Sequence, residues 1–421
     1  MVALRRGAAL ALALALSACG TPGSLELARD QLRDGDAEAA FATLDGADVP
    51  GRDRLLLYLD RGLVAHAAGR YRDSIAAFDE ADVLIERLDI VSVREQGAAL
   101  VVNDRVTNYR GESGERLWIR TFQMLNYLAL GEPEGAAVEA RRALVDLDEH
   151  GETLAADSVT RLLVAMSFEA AGQFDGASVE YRKLAADPDA SPGVLRAAWQ
   201  NARRTARREE ADRLARALPA ETLAEARRAL ESRDGELVLV LASGFVPPKL
   251  PGDLFVSPEL RIAFPYYAAG GGGRVPELEV RVNGTRSAID LVATRLVDVA
   301  RAALAERGTR IAARQTARAV TKYNLAHSAG REDQLAGELL RLLFFIVEQA
   351  DTRSWETLPA TLSLAQVALA PGEHDVEVRV RDGSSSWSAT LDDIPIRAGR
   401  RTFRSVRPDV VGPLHYAAGS D

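Results

Sequence analysis

The sequence contains few of the residues on which disulfide bonds, metal sites and nucleophilic catalysis depend. It has one cysteine (Cys19), five histidines and three lysines among 421 residues. A single cysteine excludes an internal disulfide, so the fold must rest on apolar cores, for which the 47% of hydrophobic residues are sufficient. No two histidines have a spacing typical of a metal site, and HExxH and GxSxG motifs are absent. The net charge of −9 argues against nucleic acid as a partner.

Long apolar runs are also scarce. After the first 18 residues the most apolar stretch is 339–347, which is short, is interrupted by Arg341 and predicts a core helix. The chain begins with a short basic stretch and a run of Ala and Leu that is too short to span a bilayer in a mature protein. That run ends in Leu16-Ser17-Ala18-Cys19, which resembles the bacterial lipobox, where cleavage precedes the cysteine and the cysteine is acylated.

The lipobox predicts that residues 1–18 are a signal peptide and that Cys19 is lipidated. The alternative is an ordinary secretory signal with a coincidental cysteine. Several acyl chains give stable membrane anchoring where one gives only marginal binding. Gly20, rather than aspartate, follows the cysteine, and by the usual enterobacterial sorting rule this favours the outer membrane. We therefore expect an outer-membrane protein that is held by its lipid and faces the periplasm.

Residues 19–232 show a helical repeat. Small residues and aromatics recur with the spacing of tetratricopeptide (TPR) repeats, in which small side chains let two helices approach and aromatics fill the gap between repeats. The turn glycines of four such units are separated by 34, 62 and 41 residues: Gly35, Gly69, Gly131 and Gly172. The sequence predicts a TPR-like α-helical solenoid here, which we expect to fold without the rest of the chain.

The second spacing is 28 residues longer than the TPR period, and the excess marks an insertion at residues 90–116. It contains the polar segment NDRVTNYRGESGER, residues 103–116. Insertions in a solenoid often lie on its binding face, and tyrosine is enriched at interaction hot spots. We expect the insertion to form a contact surface, either for a cell-envelope protein or for the chain's own second domain. The alternative is that Asn103, Asp104 and Glu112 cap helix ends. The predicted partner-binding residues are Asn103, Asp104, Tyr109, Gly111 and Glu112.

The second half of the chain, residues 236–409, is predicted to be an α+β domain. It begins with a continuous apolar run typical of a buried strand. Three segments are expected: strands over 236–284, helices over 286–350, and a small antiparallel β module over 361–409. Within the helical segment, we expect one apolar helix face from Ile289 to Ala303 and further helices at 309–328 and 334–350. Residues 410–421 form a tail, and the whole chain is an α+β multidomain protein.

The motif ADTRSWETLP, residues 350–359, stands between the predicted helices and the β module. Asp351, Arg353 and Trp355 are spaced by two, so they share a face if this segment is extended. We then expect Arg353 to bind Asp351 and to stack on Trp355. The favoured interpretation is a buried structural junction, and the alternative is a ligand site.

Four further patterns stand out: the residues ND and Y.GE of the insertion, NYLALG (126–131), EARRA (139–143) and ADTRSW.TLP. They resemble motifs of an uncharacterised family of bacterial TPR-containing lipoproteins. The likeness covers most of the mature chain, and it implies an outer-membrane lipoprotein with an N-terminal helical-repeat domain. The genes of that family are often found beside a lipoprotein resembling the activators of penicillin-binding proteins, and no enzymatic activity is attached to it.

These observations favour a protein-binding scaffold of the cell envelope, with a link to peptidoglycan synthesis implied by the resemblance alone. The alternative is a carboxylate-dependent hydrolase acting on envelope glycan or peptide, for which Glu112 and Asp351 are the candidate residues. The sequence predicts no metal and no cofactor for either function.

Overall fold

The computed structural model describes residues 22–94, 107–257, 260–268, 274–308, 349–383 and 385–408. The chain has an α+β fold. None of the helices in these segments combines the length and the apolar character needed to span a bilayer. Several predicted features lie outside the described residues: the signal peptide, Cys19, Asn103, Asp104, the helix at 309–328, nearly all of the helix at 334–350, and the tail.

In the described segments of the N-terminal part, 22–94 and 107–232, the helices form five hairpins and one further helix. A short 3-10 turn at Gly51–Asp53 precedes the second hairpin. Helix starts are stabilised locally, for example by Asp157 and Ser191, whose side chains accept hydrogen bonds from backbone N–H groups of the first turn. The helices are α1 Gly23–Arg33, α2 Ala37–Asp45, α3 Arg54–Ala67, α4 Tyr71–Arg94, α5 Ser113–Ala129, α6 Pro133–Glu149, α7 Ser158–Ala170, α8 Phe174–Ala185, α9 Pro192–Arg204, α10 Arg208–Ala217 and α11 Ala220–Ser232.

All five hairpins turn in the same way. In the α7–α8 turn, Gly172 has a φ of 72° and its N–H donates to the carbonyl of Glu169, a left-handed helix ending that favours glycine. The α9–α10 turn repeats this hydrogen-bond pattern around Ala206, at a φ of 56°. Residues 192–232 therefore form α11 and, before it, a fifth hairpin. Its turn escaped the sequence analysis because alanine stands where the other four turns have glycine.

The C-terminal part contains two four-stranded sheets and a separate hairpin of β2 with β3. The first sheet has the order β10-β1-β7-β6 and the second the order β5-β4-β8-β9. Strand β1 pairs in parallel with β10 and antiparallel with β7. The strands are β1 Gly235–Ser243, β2 Leu250–Ser257, β3 Leu260–Tyr266, β4 Glu277–Val282, β5 Thr285–Arg286, β6 Asp290–Arg295, β7 Thr361–Leu369, β8 Gly372–Asp382, β9 Ser385–Ile396 and β10 Arg401–Val406. A helix over 296–308, α12, follows β6.

The first sheet lies between the helices and the second sheet. Along β1 the side chains alternate: Val238 and Val240 belong to the core shared with the helices, whereas Leu237 and Leu239 belong to the core shared with the second sheet. The helix-facing side of the first sheet packs on α5, α7 and α9, the first helices of their hairpins. The helical part and the helix-facing side of the first sheet therefore share one continuous core.

Two further predictions for the second half are wrong. Residues 290–295 form strand β6, not helix, because this segment pairs with β7 and its side chains at Val292 and Thr294 are buried. The apolar residues from Ile289 to Ala303 do not belong to one helix. Those before residue 296 lie in or next to strand β6, and the others lie in α12. The segment 361–409 is not a separate module either: β7 and β10 flank β1 in the first sheet, whereas β8 and β9 join β4 in the second.

Candidate functional site

The described part of the insertion, residues 107–112, lies against the rest of the chain. The N–H of Tyr109 donates to the carbonyl of Arg52 at 2.9 Å, and the tyrosine is only 2% exposed. Glu112 is 4% exposed, and Gly111 makes a turn with a φ of 74°. The burial of Tyr109 and Glu112 is incompatible with a surface for a separate protein, whereas the predicted contact with the second half of the chain is present, because Glu112 binds Lys249.

Glu115, on the first turn of α5, holds this segment in place. One oxygen of its carboxylate accepts hydrogen bonds from the Tyr109 hydroxyl and, at 2.9 Å, from the backbone N–H of Glu112. The other oxygen accepts one from the backbone N–H of Trp355 at 2.8 Å. The insertion and the ADTRSW motif therefore meet on a single carboxylate. We call the residues 107–116 and 351–357 together the clasp.

Two cations from the second half of the chain neutralise Glu112. The Lys249 ammonium lies 2.7 Å and the Arg307 guanidinium 2.9 Å from the same carboxylate oxygen. Burial alone raises the pKa of Glu112, but the two cations outweigh burial and hold its pKa below the ordinary value. A catalytic general acid needs a raised pKa and access to substrate, so the position of Glu112 does not suit that role.

Arg353 binds Asp351 through two hydrogen bonds of 2.8 Å, the bidentate geometry that guanidinium and carboxylate favour. It also binds Asp53 at 3.1 Å, so Asp351 is held as one of two carboxylates around a buried cation. Its guanidinium carbon lies 5.6 Å from the centre of the Tyr109 ring. The expected stacking of Arg353 on Trp355 is therefore wrong.

Trp355 points instead into the helical core. Its ring centre lies 5.8 Å from that of Phe78 and 6.2 Å from that of Phe122, both in edge-to-face arrangements. Its indole N–H donates to the hydroxyl of Thr357 at 2.9 Å, and that hydroxyl donates to the buried Asp60 carboxylate. Arg353 and Trp355 therefore contact different parts of the chain, the first two carboxylates and the second the aromatic core.

Sequence analysis missed Glu115, Lys249 and Asp60, which carry much of the clasp. Two signals in the sequence point to Glu115 and Lys249. Glu115 stands three residues after Glu112, the spacing of a capping box. Lys249 is one of only three lysines among 52 basic residues, so its choice over arginine is unusual in this chain.

A cavity of about 540 Å3 lies at a different place, where the shared core ends. Across the first sheet, Arg401 is the register partner of Glu236 on one side and Ala368 is its partner on the other. The next positions toward the core are Val238 and its partner Phe403, both buried. The row of Arg401, Glu236 and Ala368 therefore forms the floor of the cavity.

The walls of the cavity come from the helices and from the ends of two strands. The turns of the third and fourth hairpins, helix α9 and the end of α11 surround the floor, and the loop between β9 and β10 closes one side. The lining combines apolar side chains with five arginines, as a binding pocket requires both apolar contact area and a few oriented polar groups. The arginines are Arg196, Arg204, Arg233, Arg400 and Arg401.

Three of these arginines are fixed by carboxylates of the cavity lining. Arg401 bridges Glu236 at 2.5 Å and Glu169 at 2.6 Å, Arg204 also binds Glu169, and Arg196 binds Glu236 at 2.9 Å. Burial alone raises the pKa of Glu236, but Arg401 and Arg196 outweigh it, and the pKa lies below its ordinary value. Glu236 therefore stays charged at neutral pH, and the ion pairs of the floor form a fixed network.

No group of three or more histidine, cysteine, aspartate or glutamate residues in the described segments has the geometry to hold a metal ion. The comparisons with known proteins identify no family. No protein-family model matches the sequence, and no curated protein matches it.

Among solved structures, one likeness is to a chain described as a kinesin light chain of Podosopora anserina with nearly identical TPR-like repeats. The two share 14% identity, with 50% of this chain and 95% of that chain covered and a TM-score of 0.32. A second is to the S-layer protein rSbsC, at 10% identity over 89% of this chain and 44% of that chain, with a TM-score of 0.12. Both TM-scores are too low to carry an argument about fold or function.

Proposed function

We propose that this chain is a protein-binding scaffold of the cell envelope, built on a TPR-like helical repeat, and that it engages its partner at the cavity. The observation that carries the proposal is the cavity itself, about 540 Å3 in volume and lined by both apolar and guanidinium side chains. The TPR-like assignment rests on the common turn of the five hairpins. The last two of these turns, Gly172 and Ala206, are 34 residues apart, which is the TPR period.

The geometry favours the cavity over the groove in which a helical repeat usually binds a peptide. That groove is lined by the first helix of each hairpin. Here α5, α7 and α9 pack on strands of the first sheet, so the chain covers much of its own groove. The cavity lies where this cover ends, at the turns next to Gly131 and Gly172.

The hydrolase alternative finds less support in the geometry. Its two candidate residues, Glu112 and Asp351, belong to the clasp, where each is bound to a buried cation. Neither residue is part of the cavity lining. A scaffold needs no free acid or base, and the ionic floor of the cavity suits recognition rather than proton transfer.

We further propose that Cys19 carries the lipid anchor and that the protein faces the periplasm from the outer membrane. The support is the lipobox-like sequence before Cys19. A link to peptidoglycan synthesis has only the family resemblance behind it. The test is fractionation of cells that express Cys19→Ser: the variant should accumulate unprocessed or in the soluble periplasmic fraction. A variant that still matures and sediments with the outer membrane would refute the anchor.

Binding at the cavity is tested by site-specific photo-crosslinking in cells. A photoreactive phenylalanine at Ala229, which is half-buried and lines the cavity, should capture an envelope protein. The same group at the exposed Arg381, on the distant second sheet, should not. Ala368→Trp, which fills the floor, should abolish the crosslink. If position 229 captures nothing, or captures equally in the presence of Ala368→Trp, the cavity is not the partner site.

A further inference from the structure

Two arginines of the cavity lining differ from the other three. Arg233, which follows α11, and Arg400, which precedes β10, are both exposed. Neither forms an ion pair with a carboxylate within the described segments, whereas Arg196, Arg204 and Arg401 are all engaged. The cavity therefore has a floor of paired charges and a rim on which two arginines outnumber one carboxylate, Asp234.

The backbone brings these two residues together. The carbonyl of Arg233 accepts a hydrogen bond of 3.0 Å from the N–H of Gly399, the neighbour of Arg400. The carbonyl of Arg400 in turn accepts one of 3.0 Å from the N–H of Glu236. Arg233 also has a φ of 57° and a ψ of 33°, a left-handed conformation that a long side chain rarely adopts. A glycine would fit this position with less strain, so the arginine side chain is retained at a conformational cost.

An apolar surface lies beside the cationic rim. Phe174, at the start of α8, is 37% exposed, although it lines the cavity and is a large hydrophobic residue. Ala368 is exposed on the helix-facing side of β7, where the shared core has ended. Leu128 and Leu230 complete this side. A ligand that fills the cavity must therefore have an anionic end and an apolar body.

The geometry points to the C-terminal carboxylate of a peptide, with apolar side chains at its last residues, as the ligand of this cavity. A guanidinium group presents two parallel N–H donors that match a carboxylate, and the buried arginines on the floor already bind Glu236 and Glu169. The volume of the cavity lies within the range of about 300–1,000 Å3 that holds ligands of this size. Capture of a terminal carboxylate is a recurrent mode of peptide recognition. This inference rests on the proposed function as a protein-binding scaffold.

The test is selection from a library of short peptides with randomised C-terminal residues, presented to the purified chain. One copy of the library has free C-terminal carboxylates and the other has C-terminal amides. The wild-type chain should enrich peptides with apolar C-terminal residues from the first copy and none from the second. Selected peptides are then measured by fluorescence anisotropy against four variants: Arg233→Gly, Arg400→Glu, Ala368→Trp and, as the control, Arg381→Glu.

Arg233→Gly relieves the left-handed backbone while it removes the guanidinium, so a loss of binding by this variant does not come from misfolding. Arg233→Gly and Arg400→Glu should each weaken binding by about tenfold or more, since a hydrogen-bonded charge is lost. Ala368→Trp should abolish binding, and Arg381→Glu should leave it unchanged. Equal enrichment from both copies, no enrichment, or unchanged binding by the rim variants would overturn the carboxylate assignment. If the crosslink at Ala229 still forms after such a result, only the carboxylate assignment fails and the proposed function stands. If the crosslink is also absent, both fail.

Discussion

Glu115 and Trp355 are 240 residues apart in the sequence, yet the Glu115 carboxylate accepts a hydrogen bond of 2.8 Å from the Trp355 backbone N–H. The same carboxylate accepts bonds from the Tyr109 hydroxyl and the Glu112 N–H. All four residues are buried. One side chain on a helix start therefore joins the insertion to the motif that leads into the first sheet.

Glu115→Ala should be strongly destabilising, because it leaves three buried donors without their acceptor. Hydrogen bonds to a charged group contribute about 1.5–3 kcal/mol each, and they are not additive, so we expect a loss of about 3 kcal/mol in the free energy of unfolding. Chemical denaturation of the purified chain measures this loss. Glu134→Ala, at an exposed position in the first turn of α6, is the matched control. Equal stability of the two variants would show that the clasp does not hold the sheet.

Arg353→Ala should lower the free energy of unfolding by about 3–5 kcal/mol, since it leaves the carboxylates of Asp351 and Asp53 without their shared cation. Arg353→Lys keeps the charge but not the bidentate geometry, so it should lie between the wild type and the alanine variant. Urea denaturation midpoints rank the three proteins. Arg381→Ala, which removes a pair between two exposed side chains, should change little. A wild-type midpoint for Arg353→Ala would contradict a structural role for this residue.

Local patterns in the sequence predict the features that depend only on neighbouring residues, namely the hairpin turns and the buried strand β1. The four turn glycines mark hairpins because each takes a left-handed φ, and the run from Glu236 to Ala242 indicates a strand because β1 is buried on both faces. The pairing of strands could not be predicted in this way, because β7 and β10 find β1 across more than a hundred residues. Alternating side chains show that a strand exists but not which sheet it joins.

The candidate site illustrates the same limit. The polar residues of the insertion and the ADTRSW motif were both noticed, but nothing local shows that they bind each other through Glu115. The sequence predicts a contact surface for Tyr109 because tyrosine is enriched at interaction hot spots, and for Glu112 because a core rarely accepts a charge. The buried Lys249 that neutralises Glu112 comes from a distant loop. The cavity was not predicted at all, because it exists only where the shared core of helices and sheet ends.

His66 should make the stability of the chain depend on pH below neutrality. Burial lowers its pKa from the ordinary 6.5 to about 4, and a hydrogen bond from its ring to Asn126 only partly offsets burial. Between pH 6.5 and 4 the unfolded chain therefore binds more protons than the folded chain, so the free energy of unfolding falls as the pH is lowered. The loss from this group reaches about 3 kcal/mol at the lower end.

The contribution of His66 is isolated by comparison with His66→Gln, which cannot take up a proton. Calorimetric melting temperatures, measured at intervals from pH 7 to about 4, should fall more steeply for the wild type than for this variant. His374→Gln, at a half-exposed position on β8, should keep the wild-type slope. Parallel profiles of the wild type and His66→Gln would contradict the lowered pKa.

Ala206→Gly should stabilise the chain, although glycine usually weakens structure. Ala206 has a φ of 56° at the turn of the fifth hairpin, a conformation that costs an L-residue about 1–2 kcal/mol. Glycine removes this cost, but it also loses more backbone freedom on folding, which offsets part of the gain. We therefore expect the free energy of unfolding to rise by roughly 0.5–1 kcal/mol. Thermal unfolding measures it. The reverse change in the preceding hairpin, Gly172→Ala, should destabilise by a similar amount, and a destabilising Ala206→Gly would show that the two turns are not equivalent.

A fragment of residues 22–232 should keep its helices but lose its fixed packing. The hairpin contacts are local, so the far-ultraviolet circular dichroism should remain strongly helical. The side chains that face the sheet lose their partners, however, because Phe78 and Phe122 pack on Trp355, and Val159 binds Thr294 through its backbone N–H. Exposed apolar surface and absent long-range packing give a loosely packed state that binds the dye ANS and has a weak near-ultraviolet spectrum. We therefore expect a broad melting transition for the fragment and a sharper one for the full chain. A fragment that melts as sharply and at the same temperature as the full chain, without binding the dye, would show that the helices have an independent core and that the sheet only covers them.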